Sequence, residues 1–197
     1  MSDPGVASSF QSARDALDAL IADPSSADRV ERVARVLSAC FGSGGKVLAC
    51  GNGGSACDAM HLCEELTGRF RADRPPLPAV ACVDPGHITC TANDFGFDQV
   101  FSRWVRALGR PGDVLVVLST SGNSPNVVRA VECANARGLT SLGLLGRDGG
   151  TLKGKCDHEW IVPARTSERI QEIHMLILHC LVEAVERIMF PEGAVSS

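Results

Sequence analysis

The sequence predicts an α/β domain with a doubly wound parallel sheet, and three observations predict it. Five short, near-continuous apolar runs punctuate the chain. Helix-like segments separate them. Loops rich in glycine, serine and asparagine follow two of the runs. Apolar runs without alternation suit strands buried on both faces, and their alternation with helices is the pattern of βαβ units.

The N-terminal stretch from about Val6 to Phe41 reads as helical. Leu17, Leu20 and Ile21, then Val30, Val33 and Leu37, recur at three- and four-residue steps, with a break at Asp23-Pro24-Ser25-Ser26. Ser25 or Ser26 is expected to cap the second helix. The five strands are then Lys46–Cys50, Pro78–Cys82, Asp113–Ser119, Thr140–Gly146 and His158–Val162. Helices are expected over Ala56–Thr67, about Phe97–Leu108, Pro125–Arg137 and Glu168–Met189. Gly138 is a natural C-terminal stop, and Arg137 before it complements the helix dipole. The tail "PEGAVSS" is expected to fray.

Composition excludes several classes of function. A formal charge of -4 in 197 residues gives no electrostatic footprint for nucleic acid or an acidic membrane surface. No charged-then-apolar leader opens the chain and no apolar run reaches spanning length, so neither export nor insertion is expected. Nine cysteines, an odd number without a C-x-x-C pair, read as small packing side chains in a reducing cytoplasm.

In open parallel sheets, ligands bind beyond the carboxyl ends of the strands. "GNGGS" (Gly51–Ser55) leaves the first strand and "STSGNSPN" (Ser119–Asn126) leaves the third. Glycines admit an anion close to backbone N–H groups, and the helix N-terminus behind each loop adds partial positive charge. Either loop alone is an ordinary turn with a polar cap. Two at strand ends of one sheet favour a phosphate-bearing ligand. The first matches neither G-x-G-x-x-G nor a P-loop, and the second holds no lysine or arginine, so a small sugar phosphate fits better than a nucleotide.

His61 and Glu65 stand one turn apart on one helix face, and Gln171 and His179 lie about two turns apart, about 80° around the last helix. These four could converge on one cation, of which zinc accepts imidazole and carboxylate readily and amide oxygen less often. Each histidine taken alone reads as a hydrogen-bonded interior residue, and His174 keeps that reading. Glu65 is also placed to act as a general base. In a third polar loop, "TANDFGFD", Asn93 and Asp94 are candidates for sugar hydroxyls or helix capping. Arg69 could meet a carboxylate or the phosphate, or simply end its helix.

In this order, "GNGGSACDAMHLCEELTGRF", "TANDFGFDQVFSR", "GDVLVVLSTSGNSPNVVRA" and "RIQEIHMLILH" resemble the phosphoheptose isomerases, a branch of the sugar isomerase (SIS) domain proteins, over nearly the whole chain. The resemblance implies a single SIS domain spanning the chain, with a flavodoxin-like five-stranded sheet and an N-terminal helical extension. It further implies an aldose–ketose isomerase that converts sedoheptulose 7-phosphate to D-glycero-D-manno-heptose 7-phosphate, the first step toward the heptose of lipopolysaccharide or capsule. Members are cytoplasmic homotetramers with active sites between subunits, and several carry zinc. Carried over by motif, the zinc ligands would be His61, Glu65, Gln171 and His179. The substrate contacts would be Asn52, Gly53, Gly54, Ser55, Asn93, Asp94, Ser119, Thr120, Ser121, Ser124 and Gln171, with Glu65 and His179 as the acid–base pair. Ala56 and Glu168 stand where a family member carries His and Asp. Two other readings share the fold: a non-catalytic SIS regulator bound to a replication-initiation protein, and another sugar-phosphate isomerase. Retention of Glu65 with His179 and the polar ring argues against the first, and the His-x-x-x-Glu helix with "RIQEIH" against the second.

Overall fold

The structure, a computed structural model, describes residues 5–71 and 73–191. The tail from residue 192 onward, expected to fray, lies outside them. Two helices, α1 (Gly5–Ala22) and α2 (Ser26–Gly42), precede the alternating part. That part runs β1 (Val47–Gly51), α3 (Gly54–Thr67), β2 (Ala79–Ala81), α4 (Pro85–Phe95), α5 (Val100–Leu108), β3 (Val114–Ser119), α6 (Pro125–Ala136), β4 (Thr140–Gly146), β5 (His158–Val162) and α7 (Ser167–Met189).

All strand pairs are parallel, and the order is β2-β1-β3-β4-β5. This is the flavodoxin-like order, whose switch point lies between β1 and β3. β1 and β3 are buried along their whole length, as the missing polar alternation in "VLACG" and "VLVVLS" requires. Val47, Ala49, Val114, Val116 and Leu118 face one core with α1, α2, α3 and α7. Leu48, Cys50, Leu115 and Val117 face the other with α5 and α6.

The sequence reading places the strands within a residue or so, and it needs correction at three points. Thr91–Phe95 is not a loop: it closes α4, a helix absent from that reading. Asp84 caps α4 by accepting from the His87 N–H at 2.6 Å, and Pro85 follows at the first helical position. The helix is hard to read because "PGHITCT" combines a glycine with three β-branched residues, hence is poor in propensity. Second, no serine hydroxyl caps α2. Ser25 instead donates its hydroxyl to Asp23 Oδ1 at 2.7 Å, and Ser26 Oγ is buried without a partner. Third, the cysteines are not uniformly packing residues: Cys57 and Cys90 are exposed, while Cys40, Cys50, Cys63 and Cys82 are buried.

Candidate active site

The two loops flanking the switch point are fastened to each other. Asn52, leaving β1, and Asn126, entering α6, exchange amide hydrogen bonds of 3.0 and 2.9 Å. Asn126 is buried, and the sequence reading passed over it because an Asn after Ser-Pro reads as a helix start. Gly53 adopts φ 57°, ψ -124°, a conformation in which a side chain is strained. Gly54 is constrained differently: a Cβ there would stand 2.6 Å from Gln171 Nε2. The Gln171 amide therefore lies flat on the loop, and it donates to Ser55 Oγ at 3.3 Å.

On the β3 side, Ser119 is buried and its Oγ accepts from the Gly122 N–H at 3.1 Å. Thr120 Oγ1 and Ser167 Oγ are 3.1 Å apart, tying this loop to the start of α7. Ser121 Oγ accepts from the Asn123 N–H. Ser124 occupies the N-cap position of α6 without a side-chain cap bond, which leaves its hydroxyl available. Hydroxyls, amides and the N-termini of α3 and α6 thus gather where the two loops meet.

About two to three turns along α3, a second group of side chains meets. His61 Nε2 is 3.0 Å from Glu65 Oε1, while His179 Nε2 is 3.3 Å from that same oxygen and 3.3 Å from His61 Nε2. Phe70 stacks on the His179 ring with centroids 5.9 Å apart. Glu65 is buried, and its Oε2 has no hydrogen-bond partner. The two imidazoles are partly exposed. A carboxylate of this burial with an unpartnered oxygen calls for a cation. The geometry agrees: zinc bonds of about 2.0–2.1 Å in a tetrahedron place ligands about 3.3 Å from one another, close to the three spacings observed. Among the described residues, His61, Glu65 and His179 are the group of ionisable donors that could hold a metal. The donor set fits zinc, which takes imidazole and carboxylate ligands.

Gln171, expected as a fourth ligand, makes no hydrogen bond to these three among the described residues. It lies about 12 Å back along α7 from His179 and is engaged with Ser55 and Gly54. Asp58, missed by the sequence reading, lies one turn before His61. Its carboxyl is pushed up to about 6 by burial, against the attraction of His61, and its Oδ2 is buried without a partner. The i, i+3 spacing to His61 was the available signal. His174 faces the core as expected. It is fully buried, bonded through Nε2 to the Leu145 carbonyl at 2.9 Å, and burial lowers it to about 4. It is a neutral imidazole donating from Nε2.

Three candidates make no bond to either loop among the described residues. Arg69 is exposed beyond the C-terminus of α3 and has no ion pair among the described residues. Asn93 and Asp94 are exposed on the last turn of α4, where Asn93 Nδ2 donates to Asp94 Oδ1 at 2.8 Å.

A flavodoxin-like sheet with hydroxyl-lined loops at its switch point, and no nucleotide-binding fingerprint, defines a sugar-phosphate-binding α/β protein. The SIS domain family model matches residues 10–146. The chain is 56% identical over 188 residues to a phosphoheptose isomerase of Fusobacterium nucleatum, covering 95% of this chain and 97% of that one. It is 49% identical over 185 residues to the phosphoheptose isomerase of Yersinia pestis, covering 93% and 96%. The solved structure of a phosphoheptose isomerase from Neisseria gonorrhoeae superimposes with a TM-score of 0.85 at 41% identity, and one from Francisella tularensis with 0.87 at 37%. Each of these covers 92% of this chain and 96% of the other. The chain belongs to the phosphoheptose isomerase family of SIS-domain proteins, and is an isomerase of sugar phosphates.

Proposed function

We propose that this isomerase interconverts sedoheptulose 7-phosphate and D-glycero-D-manno-heptose 7-phosphate, supplying the heptose of lipopolysaccharide or capsule. The observation that carries the reading is the juxtaposition of an acid–base–metal group, His61–Glu65–His179, with a hydroxyl-lined phosphate cradle along one helix.

The cradle formed by Asn52–Ser55, Ser119–Ser121 and Ser124 holds the phosphate with neutral donors and two helix N-termini. Gln171 lies between cradle and donor group, where it meets the sugar hydroxyls. Anchoring the phosphate brings C1 and C2 of the open chain to the far end, beside Glu65. Glu65 removes a proton from C1. The C–H electrons form the C1=C2 double bond, and the former carbonyl oxygen takes a proton from His179, giving a cis-enediol. Loss of the O1 proton and delivery of a proton to C2 complete the aldose. His61, Glu65 and His179 would hold the metal, which when bound polarises the carbonyl and stabilises negative charge on the enediol oxygens. Glu65 would serve as both ligand and base, its Oε1 lying beside the two imidazoles.

The chain works as a cytoplasmic homotetramer. Arg69, Asn93 and Asp94, which bond to neither loop of their own chain, would reach a substrate across a subunit boundary. A panel of ketose phosphates tests the assignment, with zinc content measured alongside. Turnover of sedoheptulose 7-phosphate ahead of pentose and hexose phosphates, lost on chelation and restored by zinc, is expected. Preference for a pentose or hexose phosphate would overturn the substrate, and full activity without metal would remove zinc from the chemistry.

A further inference from the structure

α3 and α7 run side by side in the same direction and are fastened at successive levels. At the start, Gln171 meets Ser55 and Gly54. In the middle, His179 meets His61 and Glu65. At the far end stands Arg74, which the isomerase reading leaves without a role. Its side chain is almost wholly inaccessible, and it makes five hydrogen bonds. Nη2 donates to the Glu65 carbonyl at 2.6 Å. Nη1 donates to the carbonyls of Leu66 at 2.7 Å, Pro75 at 3.2 Å and Gly68 at 3.4 Å. Nε donates to Glu186 Oε1 at 2.8 Å.

The last four carbonyls of a helix lack intrahelical donors. In α3 the Glu64 carbonyl is taken by the Gly68 N–H, and the next two, Glu65 and Leu66, by the Arg74 guanidinium. A cation at a helix C-terminus also complements the dipole. Glu186 lies seven residues beyond His179, two turns on along the same face of α7. The guanidinium thus joins the backbone of Glu65 itself to the helix that carries His179.

We propose that Arg74, held by Glu186, is a positioning residue that sets how closely Glu65 and His61 on α3 approach His179 on α7, and so tunes metal affinity and turnover. The inference rests on the metal reading above. Neither residue touches the substrate. Groups that orient metal ligands from behind typically change affinity by about 10–100-fold, and a displacement of about 1 Å at reacting groups can cost about 100-fold in rate.

Two conservative variants test it. Glu186→Gln keeps the shape but not the charge, and Arg74→Lys keeps the charge but not the fork that spans two carbonyls. Zinc affinity is measured by competition with a chelator, in the absence of substrate, and kcat and KM are measured well below the unfolding temperature. Both variants are expected to weaken zinc about 10-fold or more and to lower kcat similarly, with KM within about twofold because the cradle lies at the other end of α3. Asp113→Asn serves as control. It breaks the pair with Lys46, 2.6 Å and partly buried at the start of β1 and β3, and is expected to lower Tm without moving zinc affinity or kcat. Variants that lose stability as the control does, with wild-type zinc affinity and kcat, would overturn the proposal and leave Arg74 a structural cap. Should Arg74→Lys fail to fold, Glu186→Gln carries the test alone. Because zinc affinity is read without substrate, a wrong sugar assignment leaves this outcome intact.

Discussion

Two helix pairs cover opposite faces of the same sheet, and they are built from different materials. α5 and α6 meet through Val100, Phe101, Trp104, Val105, Val127, Val131 and Ala134, all buried. The ion pair Arg129–Asp98, from α6 to the turn that precedes α5, lies at the partly exposed edge. α3 and α7 also bury Leu62, Leu66, Ile177 and Leu178. Along their seam, however, they place Ser55 with Gln171, His61 and Glu65 with His179, and Arg74 with Glu186. Polar groups buried between packed helices are costly unless paired, and Glu65 Oε2 is left unpaired. The apolar pair holds the sheet. The polar pair gives up stability that apolar side chains would provide, which is the mark of a site kept for function.

The contrast can be broken from either side. On the polar face, His179→Gln is expected to lower kcat by about 10²–10⁴-fold, the usual worth of a proton-transfer group, while unfolding temperature changes little because the imidazole is partly exposed. On the apolar face, Phe101→Ala is expected to cost about 3–5 kcal/mol of stability, read by denaturant titration, with kcat of the folded fraction unchanged. A drop in kcat equal to that of His179→Gln would end the division of labour.

A histidine can also belong to the packing rather than the site, and His174 separates the two cases on α7. Folded, it titrates at about 4, whereas unfolded it returns to its ordinary 6.5. Between those values the unfolded chain binds a proton that the folded chain does not, so stability falls as pH drops from 6.5 toward 4. The loss amounts to about 3 kcal/mol. Denaturation midpoints across that range should decline in the wild type and decline markedly less in His174→Gln. The smallest expected effect sharpens the cradle. Gly54→Ala would displace the Gln171 amide without disturbing φ, raising KM about tenfold, the worth of one hydrogen bond, with Tm nearly unmoved.

How much of this was legible beforehand follows from which contacts are local. The strands were readable because apolar runs buried on both faces need no partner to be recognised. His61 with Glu65 was readable because helical spacing alone puts them on one face. α4 was obscured by a sequence of low helix propensity that only its Asp84-Pro85 start betrays. Asn126 and Arg74 were invisible for another reason: their partners lie 74 positions away at Asn52 and 112 away at Glu186, and no local pattern marks such pairs. Gln171 was only partly readable. Its place two turns from His179 was calculable, yet which neighbour its amide would choose depended on how α7 lies across Gly54.

The account turns on Glu65 as the group that moves the proton. Turnover of sedoheptulose 7-phosphate by Glu65→Gln, folded as the wild type and assayed with saturating zinc, tests this most directly. The account predicts a fall of about 10²–10⁴-fold in kcat. A Glu65→Gln enzyme that turns over sedoheptulose 7-phosphate at the wild-type rate would contradict it.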